Sequence, residues 1–326
     1  MSTDVYLSYD IDQKEIMYSM NSDKQIAPAS ITKLMTAIIL LENYKINEKI
    51  DIKITDNEIK GKIAYLANGE SLSVSTLLDF LLVYSANDAA HAVALAVSAT
   101  ETEFVQLMNL KANELGMKDT NFTNTHGMDD LNHFTTINDL LILSLEAISY
   151  DEIIVSTSKQ YFLANINNTG TIKYESTNTL ISKNFTGLKT GWTTNAGLTF
   201  VGLYQGINRN IITIVNQSVV DLEMSNHFLD TVLLKDSSIN DFDEINILKE
   251  GSTIANIYNG SNKISVKIDS SINIFGRVDN EHEFNSITVD YNIITLNYAN
   301  NNILKVPIPP VPKISLFNKL IFWLFS

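Results

Sequence analysis

Strand-like sequence stands at both ends of the first 235 or so residues, and helical sequence fills the space between. Val5–Asp10 and Glu15–Met20 flank Ile11-Asp12-Gln13-Lys14 and predict a hairpin. Far along the chain, Gly197–Tyr204 and Asn210–Asn216 are apolar almost without interruption. That pattern predicts strands in a sheet buried on both faces. Strands at the two ends with helices between them imply an α/β-type sheet whose first and last strands are neighbours.

Helical periodicity starts at Ser30, with Leu34, Ile38 and Leu41 on one face. It continues near 73–84, 87–98, 101–115 and 137–148. Around 159–176 the pattern turns to β, with Asn167-Asn168-Thr169-Gly170 as a turn, and a helix near 220–235 closes this part. After about residue 240, short Ile/Val/Tyr runs alternate with turns at Asn259-Gly260-Ser261-Asn262, Asp279-Asn280 and Asn300-Asn301-Asn302. This predicts a small all-β domain. Pro307, Pro309, Pro310 and Pro312 then form a stiff spacer. The expected division is 1–238, 239–306 and 307–326.

Length and charge narrow the function. The 326 residues are enough for about two domains at roughly 150 residues each. Lys and Arg total 23 against 37 Asp and Glu, a net charge of −14. Nucleic-acid binding needs a basic face, so that partner class is disfavoured. The absence of cysteine excludes disulfides, thiolate catalysis and cysteine-ligated metal. His126 and His133 lack the spacing of a metal site, and no metal or organic cofactor is expected. They are expected to be structural, Asp129-Asp130 to be a solvated loop, and Glu101 and Glu103 to favour the helix that follows them.

Three short motifs stand in order. Ser30-Ile31-Thr32-Lys33 opens the first long helix, Ser85-Ala86-Asn87 sits at a break between two helical segments, and Lys189-Thr190-Gly191 enters the strand region. Ser and Lys at i and i+3 share a helix face. A serine hydroxyl is a poor nucleophile until a base takes its proton, and a desolvated lysine is such a base. Ser85 can relay a proton, and Asn87 can orient the lysine and hydrogen-bond a substrate amide. Lys189 and Thr190 can bind a carboxylate, and Gly191 lets a peptide backbone lie against the strand.

Each motif has a structural alternative: an N-cap with a solvated lysine, helix capping, and a turn entering a strand. A Ser-x-x-Lys match arises by chance about once in a chain of this length, and a second stands at Ser156–Lys159. Ser176-Thr177-Asn178 likewise matches the second motif. Lys-Thr-Gly is far rarer, roughly one chance match in several thousand residues. The ordered triple in these contexts is the strong signal.

The triple resembles the signature of serine penicillin-recognising enzymes. The text around it resembles the D-alanyl-D-alanine carboxypeptidase family, the low-molecular-mass penicillin-binding proteins. The resemblance rests on Ala27-Pro28-Ala29-Ser30-Ile31-Thr32-Lys33-Leu34-Met35-Thr36, Ser85-Ala86-Asn87-Asp88-Ala89-Ala90, Asn121-Phe122 with His126-Gly127, and Gly187-Leu188-Lys189-Thr190-Gly191, and covers about residues 4–235. It implies a β-lactamase/D,D-peptidase-like domain of α/β (α+β) class, with a mixed, largely antiparallel sheet flanked by helices. A small C-terminal all-β domain and a terminal amphipathic helix follow.

The resemblance also implies an activity. Ser30 would attack the carbonyl between two D-Ala residues of a peptidoglycan stem peptide, with Lys33 as general base. Ser85 would pass a proton to the leaving D-Ala. Asn87 would touch the substrate, Lys189 and Thr190 would hold its carboxylate, and the N–H groups of Ser30 and Trp192 would form an oxyanion hole. β-Lactams would acylate the same serine. The sequence departs from relatives in carrying Trp192 where they often have His or Tyr, and in having no arginine in Gln217–Ser225. Two rival readings are a β-lactamase of the same fold and a non-catalytic penicillin-binding scaffold of wall synthesis. No Glu-x-x-x-Asn-type segment between 87 and 189 supports the first, and the intact triple argues against the second.

The location expected is the outer face of the cytoplasmic membrane. Met1 runs almost directly into strand sequence, so an exported chain would have lost its leader. The tail Ile314–Phe325 would make a helix of about 12 residues, ~18 Å long, too short for a ~30 Å hydrocarbon core. Its apolar side, with Lys313 and Lys319 nearby, predicts an interfacial anchor over 313–326.

Overall fold

The predicted hairpin forms where the sequence places it: β1 (Val5–Asp10) and β2 (Glu15–Met20) pair antiparallel, Leu7 opposite Ser19. The computed structural model describes residues 1–307 apart from 56–58, 167–169, 249–252, 260–261, 268–271, 279–283, 291–292 and 299–301. The Asn167–Thr169 turn, most of the predicted turns beyond 240 and the 313–326 anchor therefore lie outside the described residues. The chain divides into two compact units, Met1–Ser238 and Ile239–Ser326.

In the first unit, a 3-10 turn (Ala29–Thr32) leads into α1 (Lys33–Asn43). Two short strands, β3 (Lys49–Asp51) and β4 (Ser71–Ser73), pair before α2 (Val74–Asp79), which runs on as a π-helical turn, Phe80–Tyr84. Next come α3 (Asn87–Val97), α4 (Glu101–Leu115), α5 (Ile137–Ala147) and α6 (Asp151–Thr157). Thr100 caps α4 in a reciprocal box with Glu103, the role expected of that glutamate. The hairpin β5 (Tyr161–Asn165) and β6 (Thr171–Glu175) precedes β7 (Phe185–Thr193), β8 (Gly197–Gln205), β9 (Asn210–Ser218) and α7 (Asn226–Asp241).

The main sheet has the order β2-β1-β9-β8-β7, so the first strand and the last do sit side by side. Every pairing in it is antiparallel. Side chains alternate as a two-sided sheet requires. Val201, Leu203, Ile212 and Ile214 join the helical core, whereas Phe185, Phe200 and Val215 pack with Phe228 and Leu234 of α7 on the other face. Residues Lys33 to Leu40 of α1 are all buried, as a helix in the middle of a core must be.

One predicted element is corrected and one is added. The helix near 220–235 begins only at Asn226, because the Asp221 carboxylate accepts hydrogen bonds from the Ser225 N–H and hydroxyl and closes a turn there. The helix α6 was not anticipated: seven residues rich in Ile and Val carry little helical signal, and burial of Ile153 and Ser156 supplies the stability instead.

The second unit is all β among its described residues beyond α7. β10 (Phe242–Leu248), β11 (Thr253–Asn259), β12 (Asn262–Lys267), β13 (Ile272–Arg277), β14 (Phe284–Asp290), β15 (Ile293–Tyr298) and β16 (Asn302–Pro307) form antiparallel pairs. β10 pairs with β13, β11 with β12, and β15 lies between β14 and β16. No helix among the described residues is long and apolar enough to cross a membrane.

Candidate active site

Ser30 does not open α1 directly. It sits in the 3-10 turn before it, and Lys33 is the first residue of the α-helix. A 3-10 turn has 3.0 residues per turn, so side chains at i and i+3 eclipse. The two side chains therefore align more closely than on an α-helix, and Lys33 Nζ lies 2.9 Å from Ser30 Oγ. Ala29 carries a φ of +48°, a left-handed conformation that costs an alanine about 1–2 kcal/mol. The turn is held by Thr32, whose hydroxyl donates to the Ala29 carbonyl at 2.8 Å and contacts His133 Nε2 at 2.9 Å. Gly127 packs against it so tightly that a Cβ there would collide with the Ala29 carbonyl oxygen.

Lys33 is fully buried. Its ammonium donates to Ser30 Oγ, to Asn87 Oδ1 at 2.7 Å and to the His126 carbonyl at 2.9 Å. Burial lowers its pKa to about 7; the Asp88 carboxylate opposes that shift and the Lys62 charge adds to it. Two of its three N–H directions point at carbonyl oxygens that cannot give a proton back. The third points at the serine. Once neutral, the amine keeps the two carbonyl bonds and turns its lone pair to the Ser30 hydroxyl.

The break at Ser85 is built from backbone geometry. The π-helical turn ends there with φ +69°, Ala86 is extended, and Asn87 starts α3. Such widened turns collect at functional positions. The Ser85 hydroxyl lines the cavity and makes no hydrogen bond among the described residues. Asn87 is a clasp. Its Oδ1 holds Lys33, its Nδ2 donates to the Lys60 carbonyl at 2.6 Å, and its backbone N–H donates to the Lys62 carbonyl at 2.7 Å. The lysine-orienting role is therefore on view, and Asn87 also reaches the cavity wall.

The Lys189-Thr190-Gly191 motif lies inside β7 rather than at its entrance. Thr190, Gly191 and Trp192 line the cavity. Lys189 is 1% exposed, and its ammonium donates to the Thr190 carbonyl at 2.9 Å. Burial, then the Lys33 and Lys62 charges, holds its pKa well below the usual lysine value. The Thr190 hydroxyl donates to Thr177 Oγ1 at 2.6 Å. Gly191 has a packing reason beyond the expected open strand face. A Cβ there would come within 2.7 Å of Thr199 Cγ2, 2.9 Å of Ala29 Cβ and 3.0 Å of the Ser30 nitrogen. The glycine thus lets β7 press against the backbone of the serine turn. The Trp192 side chain is 52% exposed.

Ser30, Ser85, Asn87, Thr190, Gly191 and Trp192 meet in one cavity of about 730 Å³. Sequence reasoning missed part of its wall. Lys62 carried no signal beyond following Gly61, and Met224 and Phe228 looked like ordinary helix and loop residues. Asp129 is more than a solvated loop residue: it lines the cavity and accepts from the Asn195 N–H at 3.1 Å. His126 lines the cavity and is neutral at pH 7, because burial, then the Lys33 charge, lowers its pKa. His133 is buried between Thr32 and Thr123, and burial lowers it to about 4. Glu101 is held low by hydrogen bonds from His91 and Thr125, which outweigh its burial.

The second Ser-x-x-Lys match separates cleanly from the first. Ser156 and Lys159 both bind the Asp79 carboxylate, at 2.8 and 2.7 Å, so that lysine is an ion-pair partner and not a base. Thr177 of the other decoy does reach the cavity. Among the described residues no group of three His, Cys, Asp or Glu could hold a metal ion.

The D-alanyl-D-alanine carboxypeptidase family model matches residues 1–219. The D-alanyl-D-alanine carboxypeptidase DacF of Bacillus subtilis (strain 168) is 32% identical over 192 residues, 57% of this chain and 49% of its own length. DacC of Escherichia coli (strain K12) is 27% identical over 230 residues, 64% of this chain and 55% of its own. The chain thus spans about half the length of these curated relatives. Penicillin-Binding Protein D2 from Listeria monocytogenes, solved in a cefotaxime-bound form, superposes with a TM-score of 0.64 at 30% identity, covering 74% of this chain and 98% of that one. The carboxypeptidase DacD from Francisella tularensis has a TM-score of 0.73 at 18% identity over 95% and 94% of the two chains, a likeness of fold.

Proposed function

Because the chain belongs to the D-alanyl-D-alanine carboxypeptidase family, we propose that it is a serine-type carboxypeptidase that removes the terminal D-Ala from peptidoglycan stem peptides. One observation carries the reading: a fully buried Lys33, at a pKa of about 7, has Ser30 Oγ as its only proton-bearing partner among three.

The steps follow from that geometry. Neutral Lys33 takes the Ser30 hydroxyl proton as Oγ bonds to the carbonyl carbon of the penultimate D-Ala. The Ser30 and Trp192 N–H groups meet the developing oxyanion; loss of one such donor typically costs ~3–4 kcal/mol. The peptide C–N bond then breaks. The proton passes from Lys33 through the Ser85 hydroxyl to the departing amine, which leaves as D-Ala. Water, deprotonated by the same lysine, hydrolyses the ester and returns the proton to Ser30. Thr190 offers its hydroxyl to the substrate, and Lys189 fixes the Thr190 carbonyl from behind. A β-lactam carbonyl would enter by the same first step and remain as a slow ester. The cell envelope, at the outer face of the cytoplasmic membrane, is where such peptides are met, and residues 313–326 would supply the contact with that surface.

The test is D-Ala release from a peptide ending in D-Ala-D-Ala, comparing wild type with Ser30→Ala. Release that disappears in the variant supports the reading. A folded wild type that releases nothing, but turns over penicillin, is a β-lactamase; one that only becomes acylated is a binding scaffold. Membrane association that survives deletion of 313–326 would reject the anchor.

A further inference from the structure

We propose that Lys62 is the specificity-determining cation of this cavity and receives a carboxylate of the bound peptide. The inference rests on the carboxypeptidase reading and names part of the substrate that site would select.

Peptides ending in D-Ala-D-Ala are anions, and this chain carries a net charge of −14. A local cation must overcome that field where the ligand binds. The expected cation, Lys189, is 1% exposed and its ammonium is engaged by the Thr190 carbonyl. Lys33 is spent on the serine and two carbonyls. Among the described residues lining the cavity, Lys62 is the one lysine or arginine.

Lys62 is also uncommitted. Several other basic side chains are paired: Lys159 with Asp79, Lys173 with Glu175, Arg209 with Asp10. Lys62 makes no ion pair among the described residues; its ammonium stands 4.0 Å from the centre of the Tyr84 ring, next to Ser85. A cation over an aromatic face keeps its charge available on the far side. Among the described residues, the Asp88 carboxylate accepts the Ala64 and Leu66 N–H groups, and the Asp129 carboxylate on the cavity wall accepts the Asn195 N–H. The backbone that carries Lys62 is fixed by the reacting centre itself. Asn87 bonds the Lys60 and Lys62 carbonyls, and Gly61 between them, at φ +85°, packs where a Cβ would come within 2.6 Å of Asn87 Nδ2. The residue that positions Lys33 thus also anchors the backbone from which Lys62 reaches the cavity.

The carboxylate has two possible sources, the peptide terminus or an acidic residue upstream of the scissile bond. The experiment measures D-Ala release by wild type, Lys62→Met and Lys62→Arg. Three peptides ending in D-Ala-D-Ala are used: one with a free carboxylate upstream, its primary amide, and an N-acetylated peptide whose only carboxylate is terminal. Measured on the pH plateau above the Lys33 limb, where the base is neutral in both proteins, Lys62→Met is expected to raise KM with kcat kept, lowering kcat/KM roughly five- to tenfold, and Lys62→Arg to restore most of it. Loss confined to the first peptide assigns the upstream group, and equal loss on all three assigns the terminus. Equal kcat/KM for wild type and Lys62→Met on every peptide overturns the proposal, as does a loss in kcat alone. A wild type that releases no D-Ala defeats the carboxypeptidase reading instead. Protection of wild type and Lys62→Met by the acid peptide against penicillin acylation then reads the same contact, and equal protection overturns it.

Discussion

The cavity has two walls of different make. The helical wall holds Ser30, Lys33, Ser85 and Asn87, three of them at helix starts or breaks, and its polar atoms are tied to one another and to backbone carbonyls. The strand wall, β7, presents Thr190, Gly191 and an outward Trp192 on a continuous ladder with β8. In the first, Lys33 and Asn87 each have one place to be, and Ser85 is left open toward the cavity. In the second, the backbone is fixed and the side chains are free to differ. Proton transfer needs the former, because a general base works only at hydrogen-bond distance. Substrate fit tolerates the latter. Substitutions should therefore cost most on the helical wall and least at the rim of the strand wall.

Lys33→Ala tests the steep end. It should cut acylation by at least ~10²-fold in a stopped-flow penicillin assay. The pH dependence carries the same message with a sign. Lys33 must lose its proton to act, so acylation should rise as pH rises through about 7 and level off above it. Below that point the rate should fall roughly tenfold per pH unit. His126 and His133 titrate lower and cannot produce this limb. A limb that persists in any residual Lys33→Ala activity would break the assignment.

Gly127→Ala comes next. It keeps every catalytic group but forces a Cβ into the Ala29 carbonyl at a φ of +92°. Overpacking and left-handed strain together should cost roughly 2–5 kcal/mol of unfolding free energy in a urea titration. Acylation should fall with it, because the serine turn must move. Gly191→Ala presses on the same turn from β7, yet its overlaps, at 2.7 to 3.0 Å, are milder than the collision at Gly127 and its backbone is not left-handed, so its penalty should be smaller. Equal penalties would show that the serine turn leans on both walls alike.

The contrast between walls also explains what was legible in the sequence. Hairpin β1–β2 and the helices near 87–98 and 101–115 were legible from a clear period and sharp punctuation, and the two inner strands from short, continuous apolar runs. Ser30, Lys33, Ser85 and Asn87 were legible because their chemistry fixes their spacing along one local stretch. What escaped was produced by contacts between distant segments. Lys62 reaches the cavity because Asn87 pins the backbone around it, and the Lys189 ammonium turns to the Thr190 carbonyl because β7 is packed on both faces. The α6 helix escaped for the same reason, burial of Ile153, whereas the late start of α7 is set by a local turn at Asp221 that periodicity does not report.

Trp192→Ala gives the shallow end of the comparison. The indole is half exposed at the rim, and the group assigned to the reaction is its backbone N–H, which alanine retains. The ladder holds that N–H in place: Trp192 sits opposite Leu198 in the β7–β8 register, and its neighbour Gly191 is wedged against the serine turn. Removing the ring deletes apolar area that is only partly out of water, so the loss falls on peptide binding and not on the chemical step. KM should rise no more than about threefold, with kcat and the pH limb near 7 unchanged. A tenfold fall in kcat would mean that the ring itself orders the oxyanion donor, and the strand wall would then belong with the helical one.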